Sequence, residues 1–145
     1  MFRFSNQTGM TIIELMVVIA ILGILASIAY PSYQDTIRSS RRAEAKTSIM
    51  AIQSAMEKMR ANCGKYATAS ASSLSAASLT LTDACTKSTT VNISGEHYQY
   101  SVTGGGMTDY KIIASGASSS QKDDGSCVTM SITRDGTQSP STGCW

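Results

Sequence analysis

Polar and apolar positions divide this chain into stretches with different periods. Residues 10–30, MTIIELMVVIAILGILASIAY, carry a single charge, Glu14, and are apolar on every side from Leu15 to Ala26. At about 1.5 Å rise per residue, a helix of that length spans about 30 Å, the thickness of a bilayer's hydrocarbon core. A helix resting on a soluble core would keep a polar stripe, and this one has none. The stretch therefore predicts a membrane-inserted helix. Further on, Ala45, Ile49, Ile52, Met56 and Met59 follow spacings of 4, 3, 4 and 3, with Lys46, Glu57, Lys58 and Arg60 on other faces. This predicts an amphipathic helix laid on a sheet, ending near Asn62-Cys63-Gly64 with Gly64 as its cap. Pro31 lies between the two patterns. It lacks an N–H and is expected to kink or locally melt the helix.

Residues 67–90 are rich in Ser, Ala and Thr and read as a connecting loop, with a short helical turn near Leu74–Leu79. Alternation then predicts three strands. They are His97–Val102 (Tyr98, Tyr100, Val102), Asp109–Ala114 (Tyr110, Ile112, Ala114) and Cys127–Thr133 (Val128, Met130, Ile132). Gly104-Gly105-Gly106 separates the first two, and Asp123-Asp124-Gly125 precedes the third. Short links between sequential strands predict an antiparallel meander, with Val91–Ser94 as a short extra piece. The fold class is α+β: a long N-terminal helix packed on a 3–4-stranded antiparallel sheet. The three glycines read as a turn and not a phosphate loop, because no Lys-Ser/Thr follows them.

Composition narrows the function. A length of 145 residues fits one domain. With 42% apolar residues, two prolines and no charge runs, the chain is not disordered. Twelve basic against ten acidic residues give +2, which excludes a grossly basic nucleic-acid binder. One histidine, His97, argues against a His-based metal cage or a Ser-His-Asp triad. No paired-carboxylate or nucleophile constellation is present, so no catalysis, cofactor or metal is expected. Asp123 and Asp124 lack the spacing of an EF-hand and read as solvated turn residues. The basic cluster Arg38, Arg41, Arg42 and Lys46 is diluted by Asp35 and Glu44. It reads as a solvated helix face or an inter-subunit contact ahead of a lipid or DNA site.

Four cysteines, Cys63, Cys85, Cys127 and Cys144, allow three pairings. No CxxC spacing supports a zinc knuckle or a thioredoxin-type site, and no paired histidine supports a catalytic thiol. An even count in a domain carried past a membrane reads as two disulfides. Nearest-neighbour pairing, Cys63–Cys85 and Cys127–Cys144, is the expectation, each worth about 3 kcal/mol in the chain-entropy picture.

The apolar run is too long for a secretory signal peptide, and its one small-residue cleavage site, Gly9, lies before it. Gly9-Met10-Thr11-Ile12-Ile13-Glu14-Leu15, the apolar run, Pro31 and the stretch AYPSYQDTIRSSRRAEA at 29–45 together resemble the type IV pilin family. The ending Cys144-Trp145, after Cys127 and a strand–Asp-Gly–strand pattern, is most similar to minor pilins of the PilE type. Thr8 stands where the family usually has Lys or Arg, and Met10 where it usually has Phe. The resemblance implies a leader at 1–9, cut after Gly9 by prepilin peptidase, with N-methylation of Met10. It implies a transmembrane and filament-core helix at 10–30, and a pilin globular domain at 31–145 whose helix reaches about residue 63. A carboxylate at mid-membrane costs about 2.5–3.5 kcal/mol. Glu14 is therefore expected to pair with the new α-amino group of Met10 on a neighbouring subunit as helices leave lipid for a filament.

The resemblance also implies a D-region bounded by Cys127 and Cys144, with Arg134, Asp135, Gln138 and Trp145 available to neighbours. The implied function is that of a minor pilin serving pilus biogenesis, twitching motility, adhesion or DNA uptake. Its partners would be major and minor pilins, prepilin peptidase and the inner-membrane assembly machinery. It would sit single-pass in the bacterial inner membrane, globular part periplasmic, and then in the extracellular pilus. A major pilin, a DNA-binding competence pilin and a type II secretion pseudopilin are the alternatives. DNA is the less favoured partner, because Lys87, Lys111, Lys122 and Arg134 are interleaved with Asp109, Asp123, Asp124 and Asp135. Intact mass of the protein from sheared filaments should show a chain starting at methylated Met10 and lacking two hydrogens per disulfide. A membrane-retained chain starting at Met1 would contradict the resemblance.

Overall fold

A computed structural model describes residues 9–67, 69–70, 78–82, 88–93, 96–105 and 107–145. The chain falls into two compact units, Met1–Ile37 and Arg38–Trp145. Helix α1, Ile12–Cys63, contributes to both. In the first unit its large apolar side chains, Ile12, Leu15, Ile19, Leu22 and Leu25 among them, are all exposed. The helix runs on through Pro31, so the expected local melting does not occur. Hydroxyls on either side fold back onto the backbone: Ser27 Oγ donates to Ile24 O at 2.7 Å and Thr36 Oγ1 to Ser32 O at 2.9 Å.

In the second unit α1 buries Ala45, Ser48, Ile49, Ile52, Ala55, Met56 and Met59, the stripe that the spacing predicts. It stops as expected at Gly64, whose φ of +69° is a left-handed conformation that glycine adopts without strain. The Gly64 N–H donates to Arg60 O at 2.7 Å and satisfies one of the helix's terminal carbonyls.

The stripe packs on an antiparallel sheet of order β1-β4-β5-β6-β7. The strands are β1 (Ala69–Ser70), β4 (Tyr98–Gly104), β5 (Tyr110–Gly116), β6 (Thr129–Thr133) and β7 (Gln138–Ser139). The predicted meander is its centre, β4-β5-β6. Tyr98, Tyr100, Val102, Tyr110, Ile112, Ala114, Met130 and Ile132 are all buried; in β4 and β5 they alternate with more exposed residues, whereas in β6 Ser131 is buried as well. Register confirms that they share a face: Val102 opposes Ile112, which opposes Ile132. The Gly104 turn holds as a turn, with φ of +85° and +80° at Gly104 and Gly105. A Cβ at Gly104 would sit 3.2 Å from Asp109 O.

Three expectations change. Residues 78–92 are not a plain loop: β2 (Ser78–Thr82) and β3 (Ser88–Asn92) form a hairpin-like pair with Leu79 opposite Val91. Leu79 and Leu81 alternate with threonines and are buried, a period-2 signal hidden by the Ser/Thr-rich composition. The expected helical turn is a strand at Ser78–Leu79, and its first part, 74–77, lies outside the described residues. Second, the strand predicted from Cys127 begins at Thr129, because Gly125–Val128 is a 3-10 turn. Third, the main sheet has five strands rather than 3–4, gaining the two-residue edges β1 and β7.

The Cys127–Cys144 disulfide forms as expected. Cys85, and with it the Cys63–Cys85 pairing, lies outside the described residues. The C-terminal loop is also held by Arg42, which turns inward instead of joining a solvated basic face. Its Nη1 donates to Gly143 O at 3.0 Å and to Cys127 Sγ at 3.1 Å. Its Nε lies 3.5 Å from Asp124 Oδ2, and that carboxylate also accepts from Gln121 Nε2 at 2.6 Å. Gln121, on helix α2 (Ser119–Lys122), is fully buried and donates to Tyr98 OH at 2.7 Å. Asp124 is thus a nearly buried ion-pair partner and not a solvated turn residue. Trp145 folds back against the core. Removing one partner of such a pair strands the other charge. Arg42→Met should therefore cost about 3 kcal/mol in urea unfolding, with Asp124→Asn in the same background adding little.

Candidate functional site

Two surfaces stand out. The first is the start of α1. Gly9 and Met10 are exposed, and Thr11 caps the helix. Glu14 N donates to Thr11 Oγ1 at 3.3 Å, and Leu15 N to Thr11 O at 3.2 Å. Thr11 and Glu14 have the spacing of a capping box, and the carboxylate lies near the positive end of the helix dipole. This explains how the isolated helix tolerates Glu14. Among the described residues its carboxylate has no ion-pair partner. After it comes the exposed apolar surface, on which Gly23 has nothing within 4 Å of where a Cβ would stand. Such a surface is stable only in lipid or against other apolar helices.

The second surface is the end of the globular unit where α1 finishes. Arg60 Nη1 donates to Tyr66 OH at 2.5 Å, and its guanidinium lies 4.9 Å from the centre of that ring. Tyr66 OH donates to Glu57 at 3.1 Å, and Tyr110 OH to the same carboxylate at 3.4 Å. The two rings meet edge to face at 4.7 Å. The contact chain continues along the sheet. Arg134 N donates to Tyr110 O at 3.1 Å, and Arg134 Nη1 reaches Thr108 O at 3.1 Å. Lys111, next to Tyr110, is exposed on the sheet's opposite face and pairs in register with Thr133, the neighbour of Arg134.

Register therefore gathers charges that are scattered along the chain. Lys111, on β5, and Arg134, which follows β6, lie one ladder position apart at the end of the sheet where Tyr110 meets Tyr66 and Glu57. Of the carboxylates nearby, Glu57 and Asp135 are engaged. Glu57 accepts from both tyrosines. Asp135 is turned toward Thr133 Oγ1 and accepts from Thr137 Oγ1 at 3.0 Å. These hydrogen bonds, the Thr133 one foremost, hold the Asp135 carboxyl below the usual carboxylate range. Lys122 lies elsewhere, on α2, and Lys87 lies outside the described residues. The interleaving with Asp109 and Asp135 persists in the fold: Asp135 hydrogen-bonds within its own turn and stays ionised, and Asp109 lines one hollow with Arg134. Cross-strand pairing is the signal that spacing along the chain does not carry.

The sheet face around Lys111 adds hydroxyl and amide groups: Gln99, Ser101, Thr103, Thr129 and Thr133 share it by register, with no carboxylate among its β4, β5 and β6 positions. Of the other expected D-region contacts, Arg134, Asp135 and Gln138 are exposed, whereas Trp145 is half-buried. His97 is half-buried. Among the described residues, no three His, Cys, Asp or Glu side chains gather to hold a metal.

Burial, reinforced by Glu57, pushes the Tyr110 phenol up to about 12. Burial, reinforced by Asp124, does the same for Tyr98. A phenol in the unfolded chain ionises near 10. Below pH 10 both states keep the proton and stability is unaffected. Between pH 10 and about 12 only the unfolded chain releases it, so stability falls as pH rises. Urea midpoints should therefore drop across pH 10–12, and Tyr110→Phe should flatten that drop.

Comparison with known proteins places these surfaces in context. Residues 31–131 match the family described as "Type IV minor pilin ComP, DNA uptake sequence receptor". Residues 4–30 match the prokaryotic N-terminal methylation motif. The chain is 62% identical over 39 residues to the fimbrial protein EcpC of Eikenella corrodens, covering 27% of this chain and 26% of that one. It is 47% identical over 58 residues to a fimbrial protein of Moraxella nonliquefaciens, covering 40% and 38%. It is 41% identical over 65 residues to the type IV major pilin protein PilA of Myxococcus xanthus, covering 44% and 30%. The chain thus spans about a quarter to two-fifths of the length of these relatives. No solved structure matches it.

Proposed function

We propose that this chain, which belongs to the family of the type IV minor pilin ComP, DNA uptake sequence receptor, is a pilus subunit that binds double-stranded DNA. The observation that carries the proposal is the match of residues 31–131 to that family, beside which the exposed Lys111 and Arg134 stand on neighbouring rungs of the β5-β6 ladder. A duplex is held first by its phosphates, and a cluster of exposed cations beside hydroxyl and amide donors is the surface that phosphates require. The description of the matching family supports the same partner. DNA therefore moves ahead of its place in the sequence reading, where the charges looked dispersed. The chain acts by binding and assembly and not by catalysis. The fimbrial and major-pilin relatives support a filament subunit in general, and copy number in sheared filaments separates a minor from a major role.

We further infer that prepilin peptidase cuts after Gly9 and methylates Met10, leaving Glu14 five residues into the mature chain. The apolar surface of α1 then anchors the subunit in the inner membrane and moves into the filament core. Glu14 pairs there with the Met10 amine of a neighbour. Pro31 bends the helix, residues 31–145 form the outer layer, and Cys63 pairs with Cys85.

Phosphate contacts leave a measurable trace in salt dependence. In gel-shift titrations with a short duplex at several salt concentrations, Lys111→Ala and Arg134→Ala should each weaken binding. Each should also reduce the slope of log K against log salt by about 1. Lys122→Ala should leave both unchanged. Equal effects from all three, or no retarded complex at low salt, would sink the DNA reading.

A further inference from the structure

Outside the basic end, the globular unit carries a groove between α1 and β3. A cavity of about 500 Å³ is walled by α1 from Ala51 to Cys63 and by residues 89–92 of β3. A second hollow of about 340 Å³ extends it toward Glu44, and Ala51 and Asn92 line both. A strand turns successive side chains to opposite faces. Four consecutive residues can meet one cavity only where the strand presents its edge. β3 pairs with β2 along one edge, and among the described residues no strand pairs with the other. An edge of this kind presents backbone N–H and C=O groups as a template for another strand. The facing wall is low, because Ala51 and Ala55 leave room beside the helix.

We infer that this groove binds an extended segment of a partner polypeptide, added as a strand to the free edge of β3, with a basic residue at one end and an acidic residue at the other. Charge marks one position in each hollow. Glu44 is the charged residue lining the smaller hollow, and Lys58 the one lining the larger. Fourteen helix positions separate them, about 21 Å at 1.5 Å per residue. An extended chain covers that distance in about six residues. Main-chain pairing supplies affinity in this mode of recognition, and side chains at fixed intervals supply choice. The small residues of the helix wall favour Thr- and Val-sized groups in between.

The test uses the disulfide-intact full chain in detergent micelles, without nucleic acid. Two labelled peptides are titrated by fluorescence anisotropy: Lys-Thr-Val-Thr-Val-Thr-Glu and its reverse, Glu-Thr-Val-Thr-Val-Thr-Lys. One of them should bind at least ~10-fold more tightly than the other, a difference well above titration error. The double variant Glu44→Lys/Lys58→Glu, altered only at exposed positions, should reverse that preference. Replacing the central Thr of the better peptide by Pro, which removes a backbone donor, should abolish binding. Amide signals of residues 88–92 should shift on saturation. Binding of neither peptide, a preference that the charge swap leaves unchanged, or amide shifts confined to other strands would each overturn the inference. Because no DNA is present, failure here leaves the DNA reading standing, and failure of the gel shift leaves this one standing.

Discussion

One helix has to satisfy two solvents. Along residues 15–26 its side chains are apolar all round and nothing within their own unit covers them. Along residues 45–59 only a stripe is apolar, and the sheet covers it. The first half is stable in hydrocarbon or among its own kind, the second in water against β4, β5 and β6. Everything else follows from keeping both halves in one hydrogen-bonded element. Thr11 begins it with a cap that costs no extra charge, Gly64 ends it in a left-handed turn, and Pro31 sits where the two regimes meet.

The sheet does more than cover the stripe. Antiparallel pairing places residues from distant parts of the chain on neighbouring rungs, Lys111 and Arg134 among them. Tyr110 is the pivot. Its ring packs on Tyr66 and its hydroxyl meets Glu57, while its carbonyl holds the Arg134 amide. One buried phenol thus ties the end of α1 to β5 and to the residue that follows β6.

How much of this was legible follows from the range over which each signal acts. The α1 stripe, the Gly64 cap and the β4-β5-β6 alternation are local patterns, and each appears in the structure close to where its period places it. β2 and β3 carry a period of two as well, in Leu79 and Leu81, but threonine and serine fill the other positions and their composition reads as loop. The inward turn of Arg42 was not legible. Nothing near it in sequence announces Asp124 or Gly143, which lie far along the chain. The same applies to the candidate site. Lys111 and Arg134 were visible as residues, but their proximity is a property of register, and the retreat of Asp135 into its own turn is a property of Thr133 and Thr137.

The chain between Thr133 and Cys144 is tethered at both ends. The ladder to β7 and the Tyr110 carbonyl hold its start, and the disulfide with the Arg42 clamp holds its finish. Between these tethers every residue from Arg134 to Gly143 except Pro140 is exposed. Apart from Gly136 and Gly143, whose φ values of +86° and +77° favour glycine, substitutions there meet little of the core and so carry little penalty in folding. The segment can therefore vary in side chains while the scaffold beneath it stays constant.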